Sequence, residues 1–322
     1  MIKIVYNGEL DPRLCKQVLG STIPALAEAD PDVIYLDSDL MNCIGTAKWG
    51  AAHPDRAINC GIAEANMIGV ACGLAAEGFK PIVHSFGCFS SRRCYDQAFL
   101  SAGYAKNDIT ILGTDAGVTA SMNGGTHMPF EDMALYRALP GSTVIDITDP
   151  TMLESVLHQC VDLPGVKYVR VSRKSYAKVY EEGSETPIGK AITLREGSDA
   201  VVFATGIMIH EAMQAAQALE KEGISVAVVD MFTVKPIDVD AVCEWAGKTG
   251  AVVTAENHNR YGGLTSAVSE VLGARCPVPI EHVAVEDEFG EVGTQSYLQK
   301  RFGLTAGHVA KAVRKVIARK NK

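Results

Sequence analysis

One carboxylate opens a run of small and apolar residues in GIAEANMIGVACGLAAEG (61–78). From Ala65 to Ala76 there is no charge, and seven of those residues are Ala, Gly or Cys. A carboxylate at Glu64 loses much of its hydration, so it needs either a proton or a partner. Such an acid can trade a proton with a bound base. The plainer alternative is an acid placed at a helix N-terminus, where the dipole contributes only about 0.3–1 kcal/mol. Phe86 and Phe89, three apart in SFGCFSSRRCYDQ (85–97), can stack on a planar ring. His127 lies in the loop SMNGGTHMPFED (121–132), where flanking glycines make poor core and leave an imidazole free for proton chemistry. An acid, an aromatic pair and a loop histidine together describe a site that grips an aromatic ring and hydrogen-bonds its edge.

The elements that must position them alternate between strand and helix, the pattern of parallel α/β sheets. A helix around 11–28 precedes the strand DVIYLDSD, and the segment after Glu64 reads as a helix ended by Gly78. KPIVHSF and DITILGT are strands, with a helix around RRCYDQAFLSAGYA between them; STVIDIT follows. Asp149-Pro150 supplies an N-cap and a first-turn proline for a helix whose apolar face is Met152, Leu153, Val156, Leu157 and Cys160. VKYVRVS reads as the last strand of the first sheet. After a polar stretch the alternation restarts, through DAVVFAT, ISVAVVDMF, AVVTAEN and EHVAV, to a final helix from about Ala306. The fold class is α/β with two parallel or mixed sheets. The division is a first domain 1–180, a linker 181–189 and a second domain 190–322. In open parallel sheets ligands gather at the carboxyl ends of the strands. Those ends carry Asp37, Asp39, Glu64, Phe86, Phe89, Asp115 and the His127 loop.

Composition narrows the class. The 322 residues are 47% hydrophobic and 21% charged, with a net charge of −8. That balance argues against a nucleic-acid footprint, which needs a basic surface. The one basic cluster, KAVRKVIARKNK (311–322), reads as the solvated face of a last helix and a frayed end. Nine scattered cysteines without CxxC spacing read as reduced thiols rather than disulfides or a metal site. No signal-like segment and no apolar run of about 18 residues is present, so a cytoplasmic protein away from membranes is expected.

GIAEANMIGVACGLAAEG, SFGCFSSRRCYDQ, GTDAGVTASMNGGTHMPFED and MFTVKPID, collinear between about residues 5 and 320, resemble the thiamine diphosphate-dependent transketolase family. Specifically, the chain is similar to the second half of a transketolase: a pyrimidine-binding domain and the C-terminal domain. The resemblance implies that Glu64 hydrogen-bonds N1′ of the cofactor's aminopyrimidine, favouring the tautomer that deprotonates the thiazolium. It implies that Phe89 stacks on the pyrimidine, with Phe86 in the same pocket and Asp39 near the cofactor. His127 would contact substrate oxygens and Asn123 would read a sugar hydroxyl, with Asp115 as a further polar contact. Arg173 in VSRKS would hold the terminal phosphate or sulfonate, its planar fork suiting either oxyanion; Arg13 is a second candidate anion ligand. Asn123 replaces the family's usual aspartate, and Arg92 stands where typical transketolases carry tyrosine. Arg92 and CYDQ look more like deoxyxylulose-phosphate synthase. These departures point away from ordinary pentose phosphates. His84 and His258 read as structural, Cys88 and Cys94 as small buried residues, and Gly262-Gly263 as a helix start without a cofactor.

Family members hold the diphosphate through Mg²⁺ on a domain marked by GDG, and this sequence contains no GDG. The resemblance therefore implies a split enzyme completed by an N-terminal-type subunit that holds most of the Mg²⁺ site, in an α2β2 heterotetramer. Gly69, Ala71, Gly73 and Ala75 would allow close helix approach at that interface. The implied activity is transfer of a two-carbon ketol unit between anionic sugars. Two other enzymes fit less well: the β subunit of a 2-oxo acid dehydrogenase first component and a deoxyxylulose-phosphate synthase-like protein. A non-catalytic regulatory subunit is the alternative of another class.

Overall fold

The computed structural model describes residues 2–320; the end of the basic tail, Asn321 and Lys322, lies outside the described residues. Six strands of the first unit are β1 (Val33–Asp37), β2 (Ala57–Asn59), β3 (Lys80–Phe86), β4 (Ile109–Thr114), β5 (Thr143–Asp146) and β6 (Val166–Val171). The following strands are β7 (Ile192–Arg195), β8 (Ala200–Ala204), β9 (Val226–Asp230), β10 (Thr233–Lys235), β11 (Val252–Asn259) and β12 (Ile280–Val285). They form a seven-stranded sheet, β10-β5-β6-β4-β3-β1-β2, and a five-stranded sheet, β12-β11-β8-β9-β7.

Both sheets are parallel except at one edge each, where β10 runs antiparallel to β5 and β7 antiparallel to β9. The strand 166–171 is therefore interior, not last. Residues 233–235, from the motif MFTVKPID, cross over and extend the first sheet. Covered faces explain the unbroken apolar strands. Val33 and Tyr35 of β1 pack into one cluster with the helices Cys15–Ala29 and Pro150–Asp162. Ile34 and Leu36 pack into another with the helix Glu64–Ala76. The first cluster continues into Val202, Ala204 and Val228, so one apolar core joins the two sheets.

Local signals mostly hold. The Asp149 side chain accepts from Met152 N at 2.8 Å ahead of Pro150, and Gly78 takes φ 95 after the Glu64 helix. The opening helix starts at Cys15 rather than near residue 11. The segment read as one helix from RRCYDQ onward is a 3₁₀ turn Arg92–Cys94, an α turn Tyr95–Gln97 and a π-helical stretch Ala98–Tyr104. Within that irregular backbone the 3₁₀ turn carries Arg93, which pairs with Glu64.

Candidate active site

Neighbouring parallel strands β6, β4, β3 and β1 end on one edge, and each delivers a candidate at or just past its last residue. β1 leads to Asp39, β3 ends in Phe86, β4 leads to Asp115 and β6 to Arg173. Alignment of parallel carboxyl ends is what gathers residues more than a hundred apart in sequence.

Glu64 is the first residue of its helix and only 2% exposed. Its surroundings are not purely apolar. Arg93 Nη1 donates to both carboxylate oxygens at 3.0 Å, and the Ser85 hydroxyl lies 3.4 Å from Oε1. The same guanidinium stacks over Phe89, its carbon 3.9 Å from the ring centroid. A proton on the acid is one answer to burial; a cation partner is the answer found here.

The other candidates form a continuous wall. Phe86 and Phe89 have centroids 6.4 Å apart, and the His127 ring meets Phe89 edge-on at 5.1 Å and Phe86 at 6.0 Å. The Arg173 guanidinium lies 4.9 Å from the Phe86 centroid and is ion-paired to buried Asp115. Thr126 Oγ1 and His127 Nδ1 lie 2.9 Å apart. Asn123 is exposed on the same loop, at the end of the 3₁₀ segment Gly117–Asn123. Arg92 pairs with Glu131 at 2.8 Å and donates to the Thr126 carbonyl at 3.2 Å, so it braces the histidine loop.

That loop is held from several sides. Lys174 donates to Thr119 O at 3.0 Å and Ser121 Oγ at 2.7 Å; burial pulls its ammonium below the usual range, against the attraction of Asp115. Ser121 sits at φ 51, a strained position for a residue with a side chain. From the second sheet, Asn257 accepts from Val118 N at 2.9 Å and donates to Ala116 O at 3.0 Å. Gly125 packs so closely on Gly290 that an added Cβ would lie 2.1 Å from its carbonyl oxygen. Behind the strand ends, buried His84 bridges Asp37 at 2.7 Å and Thr114 at 3.0 Å, and the Tyr35 hydroxyl donates to Asp37 at 2.5 Å. This is the structural role expected for His84. His258 is also buried, its Nδ1 2.7 Å from the Asn259 carbonyl oxygen.

Two candidates stand apart. Asp39, exposed and at φ 64, bonds Asn59 Nδ2 at 3.0 Å; Asn59 in turn accepts from Gly61 N, so Asp39 buttresses the turn into Glu64. Arg13 is engaged by Asp11, Glu154 and Glu182 and donates to Thr151 at 2.6 Å. None of the other candidates is among those partners, and three carboxylates surround the charge an anion would need. Sequence reasoning passed over Arg93, Asn257 and Gly290. The doubled arginine in SSRRC was the one visible signal; the other two carry none.

Residues 14–178 match the transketolase pyrimidine-binding domain and residues 189–309 the transketolase C-terminal domain. A 6-deoxy-6-sulfo-D-fructose transketolase subunit of Clostridium sp. strain MSTE9 is 47% identical, the alignment covering 98% of each chain. One subunit of an apulose-4-phosphate transketolase from Phocaeicola vulgatus is 33% identical, covering 92% of this chain and 95% of that one. Among solved structures, a split gene transketolase in an inactive beta4 tetramer superposes with a TM-score of 0.87 at 36% identity, covering 95% of this chain and 99% of that one. The acid, the aromatic pair and the histidine loop thus stand on a scaffold whose whole length matches two named domains in order, and the chain belongs to the transketolase family.

Proposed function

We propose that the chain is the C-terminal subunit of a two-component transketolase, active with a partner that carries the diphosphate-binding half, and that it works on sugars with an anionic tail. The carrying observation is buried Glu64 set against Phe89, with Phe86, His127 and the Arg173–Asp115 pair continuing the same wall. Transketolases use thiamine diphosphate, and the residues present fit its aminopyrimidine. A planar, nitrogen-edged group, the Arg93 guanidinium, already lies over Phe89 and bonds Glu64 as such a ring would. When bound, that cofactor supplies a nucleophilic carbon able to carry a two-carbon ketol unit.

The chain's own residues supply the rest. Glu64 would hydrogen-bond the pyrimidine edge and share a proton there. Phe89 fixes the ring plane and Phe86 excludes water beside it. His127, held over both rings, would move a proton at the substrate oxygens. Arg173 would orient the anionic tail, with Asp115 and Asn123 reading hydroxyls. Asp39 acts through the turn before Glu64. Arg13 takes no part in this arrangement.

The absence of GDG from the sequence favours a partner that holds Mg²⁺ and the diphosphate, in an α2β2 assembly. On the Glu64 helix, Gly69 and Gly73 face open space and Val70 is exposed, as is Ile62 just before the helix, a surface suited to close helix contact; Ala71 instead is buried in the core. Domain bounds of 1–180 and 190–322 with a linker at 181–189 suit the two sheets, β10 being the element that crosses. Among the described residues no helix is long and apolar enough to cross a membrane, and a cytoplasmic setting suits the nine free cysteines. The sulfosugar relative favours a sulfonated ketose as donor. The 2-oxo acid dehydrogenase, deoxyxylulose-phosphate synthase and non-catalytic readings are not favoured, since the relatives described are transketolase subunits.

The test is copurification of the tagged chain with a GDG-bearing partner, followed by ketol-transfer assays on sulfonated and phosphorylated ketoses. Glu64→Gln should lower kcat at least about 100-fold. Recovery of the chain alone, or activity indifferent to Glu64, would sink the reading.

A further inference from the structure

Arg93 takes both contacts that the site offers to an aromatic base. Its guanidinium carbon lies 3.9 Å above the Phe89 centroid, and Nη1 donates to both oxygens of Glu64 at 3.0 Å. A guanidinium and a protonated aminopyrimidine are alike in the relevant respects. Both are flat and conjugated, and both present N–H groups to a carboxylate from an edge. Two such groups cannot share one ring face and one carboxylate.

The backbone makes this placement specific to the second arginine. Arg92 and Arg93 lie in a 3₁₀ turn, where successive side chains point about 120° apart. Arg92 turns to Glu131 and the histidine loop, while Arg93 turns to Glu64. Among the described residues no other cation is ion-paired to Glu64. The Arg93 side chain is 45% exposed, so a path outward to solvent is open, whereas Glu64 is fixed at 2%.

We propose that Arg93 is a resident stand-in for the cofactor's aminopyrimidine. In the free subunit it keeps buried Glu64 paired and covers the stacking face of Phe89; it swings to solvent when the cofactor enters. This rests on the reading of Glu64 as the cofactor's partner. The device answers a difficulty that a split enzyme faces. A buried acid awaiting a cofactor gripped mostly by another chain would otherwise stand unpaired. It also makes cofactor entry compete with an internal ligand, so only the fraction of molecules with Arg93 swung out is competent.

The experiment is calorimetric titration of thiamine diphosphate with Mg²⁺ into the chain assembled with its partner, comparing wild type, Arg93→Met, Arg93→Gln and Glu64→Gln. Arg93→Met keeps the apolar stem and removes the charged plane. It should bind about tenfold more tightly, the gain expected from removing an internal competitor that closes the site about nine-tenths of the time. Association, followed by stopped-flow fluorescence, should be faster by a similar factor. Arg93→Gln should lie between the two. An arginine that merely props the fold, or that holds the bound cofactor, gives the opposite sign. Equal or weaker binding by both Arg93 variants, at unchanged melting temperature, overturns the proposal, and so does a variant that fails to fold. If the wild-type assembly binds no cofactor, or Glu64→Gln binds it as wild type does, the fault lies instead with the functional reading.

Discussion

Asp115 holds Arg173 by backbone and side chain together. Arg173 Nε donates to Oδ2 at 2.9 Å, Nη2 bonds the same oxygen, and the Arg173 backbone N–H reaches Oδ1 at 3.4 Å. The guanidinium therefore comes to the site with one edge neutralised and its carbon 4.9 Å from the centroid of the Phe86 ring. Arg173→Gln should raise KM for an anionic ketose roughly 10–100-fold, the value of a charge-assisted bond, with a smaller change in kcat. Asp115→Asn, which tolerates the φ of 58 at this position, should lower that KM by freeing the cation. Steady-state kinetics on charged and uncharged donors decide the matter. Equal losses on both donors would remove Arg173 from tail binding.

Gly125 is where the two units touch at the histidine loop. A methyl group there would lie 2.1 Å from Gly290 O, a backbone atom that cannot turn aside. Gly125→Ala should cost about 1–3 kcal/mol of stability and displace His127, lowering kcat/KM about 100-fold. Denaturant melts and initial rates read the two effects separately. An unchanged rate would mean that the loop's position does not control the chemistry.

Arg170 is fully buried between the sheets. It donates to Asp132 at 2.8 Å, to Asp146 at 3.3 Å and to the Asn257 carbonyl at 2.6 Å. Removing one partner leaves buried charge uncompensated, which typically costs about 3–5 kcal/mol. Asp132→Ala should therefore destabilise by about 3 kcal/mol, while Arg170→Met with Asp132→Leu should recover part of the loss. Urea midpoints with a constant slope would confirm it, and a loss under about 1 kcal/mol would refute it.

Asp230 gives the fold a pH dependence. Burial pushes its carboxyl up to about 7 from the usual 3.8; the Tyr180 hydroxyl donates to it at 2.7 Å and opposes the rise, while Asp149 and Asp146 add to it. The native state thus keeps a proton that the unfolded chain has released, so this group's contribution falls as pH rises from about 4 to 7. Asp230→Asn should match wild type near pH 4 and exceed it at pH 8 by about 1–3 kcal/mol. Thermal melts across that range check the sign; a variant less stable at pH 8 would contradict it.

By itself the sequence determined the elements and their order. Apolar runs, the Asp149-Pro150 start and Gly78 act through neighbours a few residues away, and such signals survive in one dimension. The same runs told which residues would stand at strand ends, because parallel strands share one carboxyl edge. Tertiary structure decided the rest. Only packing shows that Arg93 rather than Arg92 meets Glu64, since a turn of three residues sends two adjacent side chains different ways. Packing likewise brings Arg13 to three carboxylates, threads 233–235 into the first sheet, and seats Asn257 and Gly290 behind the loop of Asp115 and His127. Those contacts join residues far apart in sequence. They are fixed by which charges and backbone atoms must be satisfied once the two sheets bury a common core, a condition that no local stretch of sequence states.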